Sequence, residues 1–123
     1  MKLVHFKETE FACKHCGLLP RKGINKILLA KLDHLRCAIG APIIVSSGYR
    51  CAKHNANVGG VANSQHVKGT AADIICKSVS VEKLAAKAKE IGFDGIGIYP
   101  KSGFVHVDCR SDGDEPCKYN WSE

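Results

Sequence analysis

No stretch of this sequence is apolar over anything near the ~20 residues that a helix needs to cross a bilayer. The opening Met1-Lys2-Leu3-Val4-His5-Phe6-Lys7-Glu8 also lacks the apolar segment of a secretory leader. These two absences predict a chain made and folded in the cytoplasm, with no membrane partner, that would need delivery or release to reach a target outside. Runs of like charge are missing too. Lys and Arg outnumber Asp and Glu, 18 to 12, for a formal net charge of +6. Yet no five basic residues stand together, so a nucleic-acid tract is not indicated. The charge reads as a solvated basic surface with a weak pull on polyanions. Internal repeats, low-complexity tracts and linkers are absent, which predicts one domain over 1–123 with its core at about 11–110, expected to be a monomer. A domain of 123 residues buries enough apolar surface to stand without disulfides or a structural metal.

Cysteine, by contrast, is plentiful, with seven residues at 13, 16, 37, 51, 76, 109 and 117. An odd count cannot pair fully within one chain, and without a leader reduced thiols are the default. Cys76 and Cys109 sit in apolar contexts where cysteine acts as a small hydrophobe. Cys13-Lys14-His15-Cys16 has the spacing of half a structural zinc site. No second C-x-x-C pair follows, and Cys51 or Cys109 would have to complete the set from a distance. Buried thiols are the plainer reading, and the rival, a zinc-ribbon nucleic-acid binder, lacks its second pair.

Apolar positions 24, 27, 28, 32, 35 and 39 recur at helical spacing and predict an amphipathic helix over about 22–39, ended by Gly40. Ile43-Ile44-Val45 reads as a buried strand. Residues 46–70 are polar and Gly-rich, and a loop of such length in a small domain tends to be functional. Ala71–Cys76 predicts a strand. Ser80 is placed to cap a helix over Val81–Ile91 that Gly92 stops. Ile96–Tyr99 and Phe104–Cys109 are two more strands, antiparallel because only Pro100-Lys101-Ser102-Gly103 joins them. The tail from Ser111 is polar and expected at the surface, with no role assigned to Trp121. Helices and short strands in this order predict an α+β domain with a small antiparallel sheet.

The last of these strands carries the sharpest pattern. Side chains alternate faces along a strand, so Val105, Val107 and Cys109 share an apolar face while His106, Asp108 and Arg110 share a polar one. Asp73, inside Ala71-Ala72-Asp73-Ile74-Ile75, is costly to bury unless paired or bound to a metal. His66 stands seven residues before it, at the end of the polar loop. Two histidines and a carboxylate form a ligand set known from catalytic zinc sites, where three protein ligands leave one position open. Asp108, two residues from His106 on the same face, is the nearest candidate for a general base. Orientation of His106 by Asp108 is the competing role, as a structural ion pair with Arg50 is for Asp73.

These segments resemble the M15 peptidases. Ser64-Gln65-His66-Val67-Lys68-Gly69-Thr70-Ala71-Ala72-Asp73 resembles that family's S-x-H-x-x-G-x-A-x-D motif. Ser47-Gly48-Tyr49-Arg50 is similar to its S-G-Y-R segment, and Phe104-Val105-His106-Val107-Asp108 to the strand bearing its third ligand. Gly95-Ile96-Gly97-Ile98-Tyr99-Pro100 also looks like a segment of the small M15 domains. The likeness runs from about Phe11 to Arg110. It implies a Hedgehog-like fold, one catalytic Zn2+ on His66, Asp73 and His106, and cleavage of an amide in the peptide part of peptidoglycan. A carboxypeptidase, an endopeptidase and a phage lysin all fall within that reading. It also implies that Arg50 meets a substrate carboxylate or the carbonyl oxygen under attack, with Ser64 and Gln65 as further substrate contacts. The chain departs from the pattern at Gly103, where many members carry the acid that serves as base, and at Phe104, in place of a histidine. The base is then assigned to Asp108, and a catalytically inactive, zinc-containing wall-binding module is the alternative.

Overall fold

The computed structural model describes residues 5–58 and 64–123. The first four residues and the centre of the polar loop, at 1–4 and 59–63, lie outside them. A 3-10 turn at Glu8–Phe11 is followed by α1 (Lys26–Ile39), β1 (Ile44–Ser47), α2 (Ala52–Asn57), β2 (Ala71–Ile75), α3 (Val81–Ile91), β3 (Gly95–Tyr99), β4 (Phe104–Asp108) and β5 (Tyr119–Ser122). The architecture is α+β, as expected.

Helix α3 has the expected bounds, with the Ser80 hydroxyl accepting from the Lys83 N–H and Gly92 left-handed at φ 93°. Helix α1 ends at Gly40 as expected but starts later than 22. The Asn25 side chain accepts from the Ile27 and Leu28 N–H groups and so fixes the first turn, since a capping oxygen satisfies donors that have no partner within the helix. Leu28, Leu29, Leu32 and Leu35 of α1 and Leu84, Ala85 and Ala88 of α3 are buried. They form one core with Val45, Ala72, Ile74, Ile96, Val105, Val107 and Cys109.

The five strands run in the order β1-β2-β4-β3-β5. Three pairings are antiparallel, but β3 and β5 are parallel, so the sheet is mixed rather than wholly antiparallel. Three further expectations are corrected. The β1 strand lies at an edge, and Ile44 is 45% exposed while Val45 is buried; the β-branched run marked a strand but not its two-sided burial. The long loop contains α2. The polar tail does not merely cover the surface. Asp94, fully buried, accepts the N–H groups of Ser111, Gly113 and Glu115. Tyr119 N–H then donates to the Asp94 carbonyl, and the turn so tied down delivers β5 to the sheet.

Register sets one row of residues across the whole sheet. Ser47 lies opposite Asp73, Asp73 opposite His106, His106 opposite Gly97 and Gly97 opposite Trp121. Neighbours in such a row have Cβ atoms about 5 Å apart on one face. Helices α1 and α3 cover the other face. Gly97 is the gap in the row, because a Cβ there would collide with the Trp121 indole. The adjacent row runs Ala71, Asp108, Gly95, Tyr119, and a Cβ at Gly95 would collide with the Asp108 carboxylate. The Gly-Ile-Gly-Ile pattern of β3 thus puts isoleucine into the core and empties the opposite face.

Candidate metal centre

Asp73 and His106 meet because β2 and β4 pair in that register. His66 arrives from the turn that precedes β2, where Gly69 takes φ +76° and Thr70 Oγ1 lies 2.9 Å from Gln65 Oε1. All three side chains are buried, and one donor atom of each lies within 4.8 Å of the others. Asp73 Oδ1 is 3.2 Å from His66 Nε2 and 3.1 Å from His106 Nδ1.

The outward atoms of the three are fixed as well. His66 Nδ1 lies 2.8 Å from the Gly48 carbonyl oxygen, which only accepts, so that nitrogen carries the proton and Nε2 turns its lone pair inward. His106 Nε2 lies 2.8 Å from Asp108 Oδ2; an ionised carboxylate only accepts, so Nδ1 of the neutral ring faces inward unprotonated. Asp73 Oδ2 is 3.5 Å from Arg50 Nη2. Outer partners of this kind set the tautomer and aim of metal ligands. Two imidazole nitrogens and one carboxylate oxygen, aimed at a common point with an open side, suit a divalent cation such as zinc.

Burial alone would raise the pKa of Asp73, but its contacts with the His106 and His66 rings hold it well below the usual carboxylate range. For His106 burial works against the charged form, yet Asp108 and Asp73 together raise its pKa. In the metal-free chain a proton therefore stands in for the cation, and a cation must displace it. The sign follows: zinc affinity falls with falling pH through the raised His106 pKa. Below that raised pKa the apparent association constant should drop about tenfold per pH unit for each proton displaced. Titration against a competing chelator at several pH values measures this, and an affinity flat across that range would contradict it.

The three donors open into a cavity of about 390 Å3. Arg50, Ser64 and Gln65 line one side. Arg50 is held by Ser47 Oγ at 3.3 Å and Asn55 Oδ1 at 3.1 Å. Ser64 Oγ accepts the His66 N–H. The opposite wall is Tyr99, Phe104, Arg110 and Trp121, which sequence reasoning did not assign to the site. Tyr99 stacks on Phe104 at 4.4 Å, Trp121 Nε1 donates to Tyr99 Oη at 2.6 Å, and the indole lies 5.0 Å from the His106 ring. Alternation places Arg110 on the His106 face, and carried along β3 and β4 it would have found Tyr99 and Phe104 as well; only the docking of β5 brings in Trp121.

Asp108 stands behind the site. It is fully buried, it is not among the residues lining the cavity, and Arg110 Nε and Nη2 donate to it at 3.0 and 2.8 Å. Burial pushes its pKa up, but hydrogen bonds from His106 and Arg110 bring it down to about 2.

The family profile described as Peptidase M15 matches residues 4–108. Among known proteins, a probable peptidoglycan L,D-endopeptidase MepK of Haemophilus influenzae is 40% identical over 89 residues, 66% of this chain and 48% of that protein. The zinc D-Ala-D-Ala carboxypeptidase of Streptomyces albus G is 41% identical over 71 residues, 57% of this chain and 28% of that protein. The peptidoglycan L,D-endopeptidase MepK of Escherichia coli is 34% identical over 94 residues, 71% of this chain and 52% of that protein. The chain thus spans about half the length of these relatives, or less. No helix among the described residues is long and apolar enough to cross a membrane. With a profile match that takes in His66, Asp73 and His106 together, and a sheet that brings those three to one point, the chain belongs to the M15 peptidase family.

Proposed function

We propose that this chain is a zinc-dependent peptidase that hydrolyses an amide bond in the peptide part of peptidoglycan. The observation that carries this reading is the set of three inward donor atoms on His66, Asp73 and His106, each fixed from outside by Gly48, Arg50 or Asp108. Zinc held there supplies a Lewis acid and lowers the pKa of a coordinated water to about 7. The chain's own groups do the rest. Arg50 reaches the cavity with a planar, permanently charged fork that suits a substrate carboxylate or a developing oxyanion. Ser64 and Gln65 flank it. The wall of Tyr99, Phe104 and Trp121 packs against the substrate and limits water on that side. Asp108 keeps His106 in the tautomer that presents Nδ1.

One observation favours a second reading, a wall-binding module without turnover. Among the described residues that line the cavity, Asp73 alone carries a carboxylate, and Gly103 presents none. A single experiment separates the two. Purified peptidoglycan is incubated with the zinc-loaded chain, and the soluble products are identified by mass spectrometry. Peptide fragments that vanish with a chelator and return with zinc support the peptidase and name the bond. An intact wall that sediments with bound protein supports the module.

A further inference from the structure

A second cluster of ligand-type side chains lies away from the cavity. Cys13 Sγ, Cys16 Sγ and Cys51 Sγ all lie within 4.8 Å of one another. They differ from Cys76 and Cys109, which pack within the hydrophobic core cluster, whereas Cys13 is buried outside it, Cys51 is half-buried and Cys16 is exposed. The buried-thiol reading therefore fits Cys76 and Cys109 but leaves the convergence of the other three unexplained.

The backbone around Cys13 is built for a metal-bound sulfur. Cys51 N–H donates to Cys13 Sγ at 3.4 Å, and the neighbouring backbone N–H groups of Cys16 and His15 also favour its thiolate. Cys13 N–H donates to the Leu18 carbonyl and Gly17 N–H to the Cys13 carbonyl, each at 2.8 Å. Gly17, the residue after Cys16, takes φ +74°, open to glycine at no steric cost. The result is a tight knuckle, Cys-x-x-Cys-Gly, with N–H dipoles turned toward one sulfur, a concavity that favours a negatively charged atom. A neutral thiol needs no such arrangement; a thiolate ligating a cation does.

We propose that Cys13, Cys16 and Cys51 bind a structural zinc ion, separate from the His66–Asp73–His106 centre. Three thiolates supply three of the four positions of a structural zinc site, and each thiol gives up its proton on binding. The ion ties the N-terminal knuckle to the segment that leads from β1 to α2. That segment already leans on the knuckle's neighbour: Tyr49 N–H donates to the Phe11 carbonyl at 2.8 Å, and a Cβ at Gly48 would lie 2.6 Å from the Phe11 oxygen. The segment from Gly48 to Cys51 also holds the Gly48 carbonyl that orients His66 and the Arg50 side chain that meets Asp73. The staple therefore fixes two outer partners of the catalytic centre, a consequence that rests on the function proposed above.

The test is metal content and thiol reactivity of the full chain, expressed with zinc and purified under reducing conditions without chelator. The wild type should hold about two zinc ions, and the variants Cys16→Ser and His66→Ala about one each. Cys16 is exposed, so an unligated thiol there would react at once with an aromatic disulfide reagent; in the zinc-loaded protein it should react only after a chelator is added. Cobalt in place of zinc should give a thiolate charge-transfer band in His66→Ala but not in Cys16→Ser. If the catalytic reading alone fails, the wild type holds one ion and still shows the band. The staple is overturned by one ion with Cys16 freely reactive, or by a disulfide among the three cysteines in the reduced preparation. Should Cys16→Ser not fold, the thiol and cobalt measurements on His66→Ala decide alone.

Discussion

Replacement of Asp73 by alanine will remove zinc from the His66–His106 pair and lower peptide release from the wall by more than about 10³-fold, because most of an enzyme's ~10⁶-fold or greater acceleration rests on such a centre. Asp73 joins three groups of the site. Its Oδ1 serves both histidines and its Oδ2 faces Arg50. Without it two imidazoles remain to hold the ion, and a guanidinium is left beside them. The metal-free fold suffers as well. The pKa of Asp73 is depressed, so its contribution to stability is present above the unfolded value of ~3.9 and is lost as pH falls below it. At neutral pH the alanine variant forfeits that contribution, on the order of 3 kcal/mol for a buried charge whose partners stay behind. Zinc analysis, wall digestion and thermal unfolding of the metal-free protein read the three effects separately. Unchanged zinc content at the His66 centre would remove Asp73 from the ligand set.

The separation between what local pattern reveals and what it hides runs through this site. Alternation along Phe104–Cys109 assigns His106 and Asp108 to one face without any structure, because the strand period is two. Asp73 stands out because a carboxylate among Ala and Ile is costly unless partnered. Caps make α3 legible residue by residue. Pairing across the sheet is different. That Asp73 lies opposite His106 depends on residues more than thirty positions apart, and only the motif resemblance stood in for it. Trp121 was hidden for the same reason, since its strand is held by Asp94 through backbone donors that no sequence period marks. The Gly48 carbonyl escaped because a backbone acceptor has no residue-type signature. The thiol cluster was half legible: the C-x-x-C spacing announced it, and the choice of Cys51 over Cys109 as the third sulfur needed the fold.

Asp108 is where local and nonlocal information conflict, and its substitution separates two roles. Sequence distance makes it the nearest carboxylate to a ligand and so a candidate base. A base for this chemistry works best with a pKa near the operating pH, whereas Arg110 and His106 hold that of Asp108 near 2. Its oxygens are also engaged, Oδ2 by His106 and Arg110 and Oδ1 by the Arg110 side chain and N–H. If Asp108 orients His106, Asp108→Asn should weaken zinc binding about 10- to 100-fold, with activity partly restored by excess zinc. If it moves the proton, zinc affinity should hold while turnover falls about 10²- to 10⁴-fold at saturating metal. Gly95→Ala provides the same comparison from a residue with no chemistry of its own. A methyl group there meets the Asp108 carboxylate and must displace it from His106, so it should copy the zinc defect of Asp108→Asn. A Gly95→Ala protein that binds zinc normally would mean that the contact between Asp108 and His106 is dispensable for the metal, and the orienting role would fall.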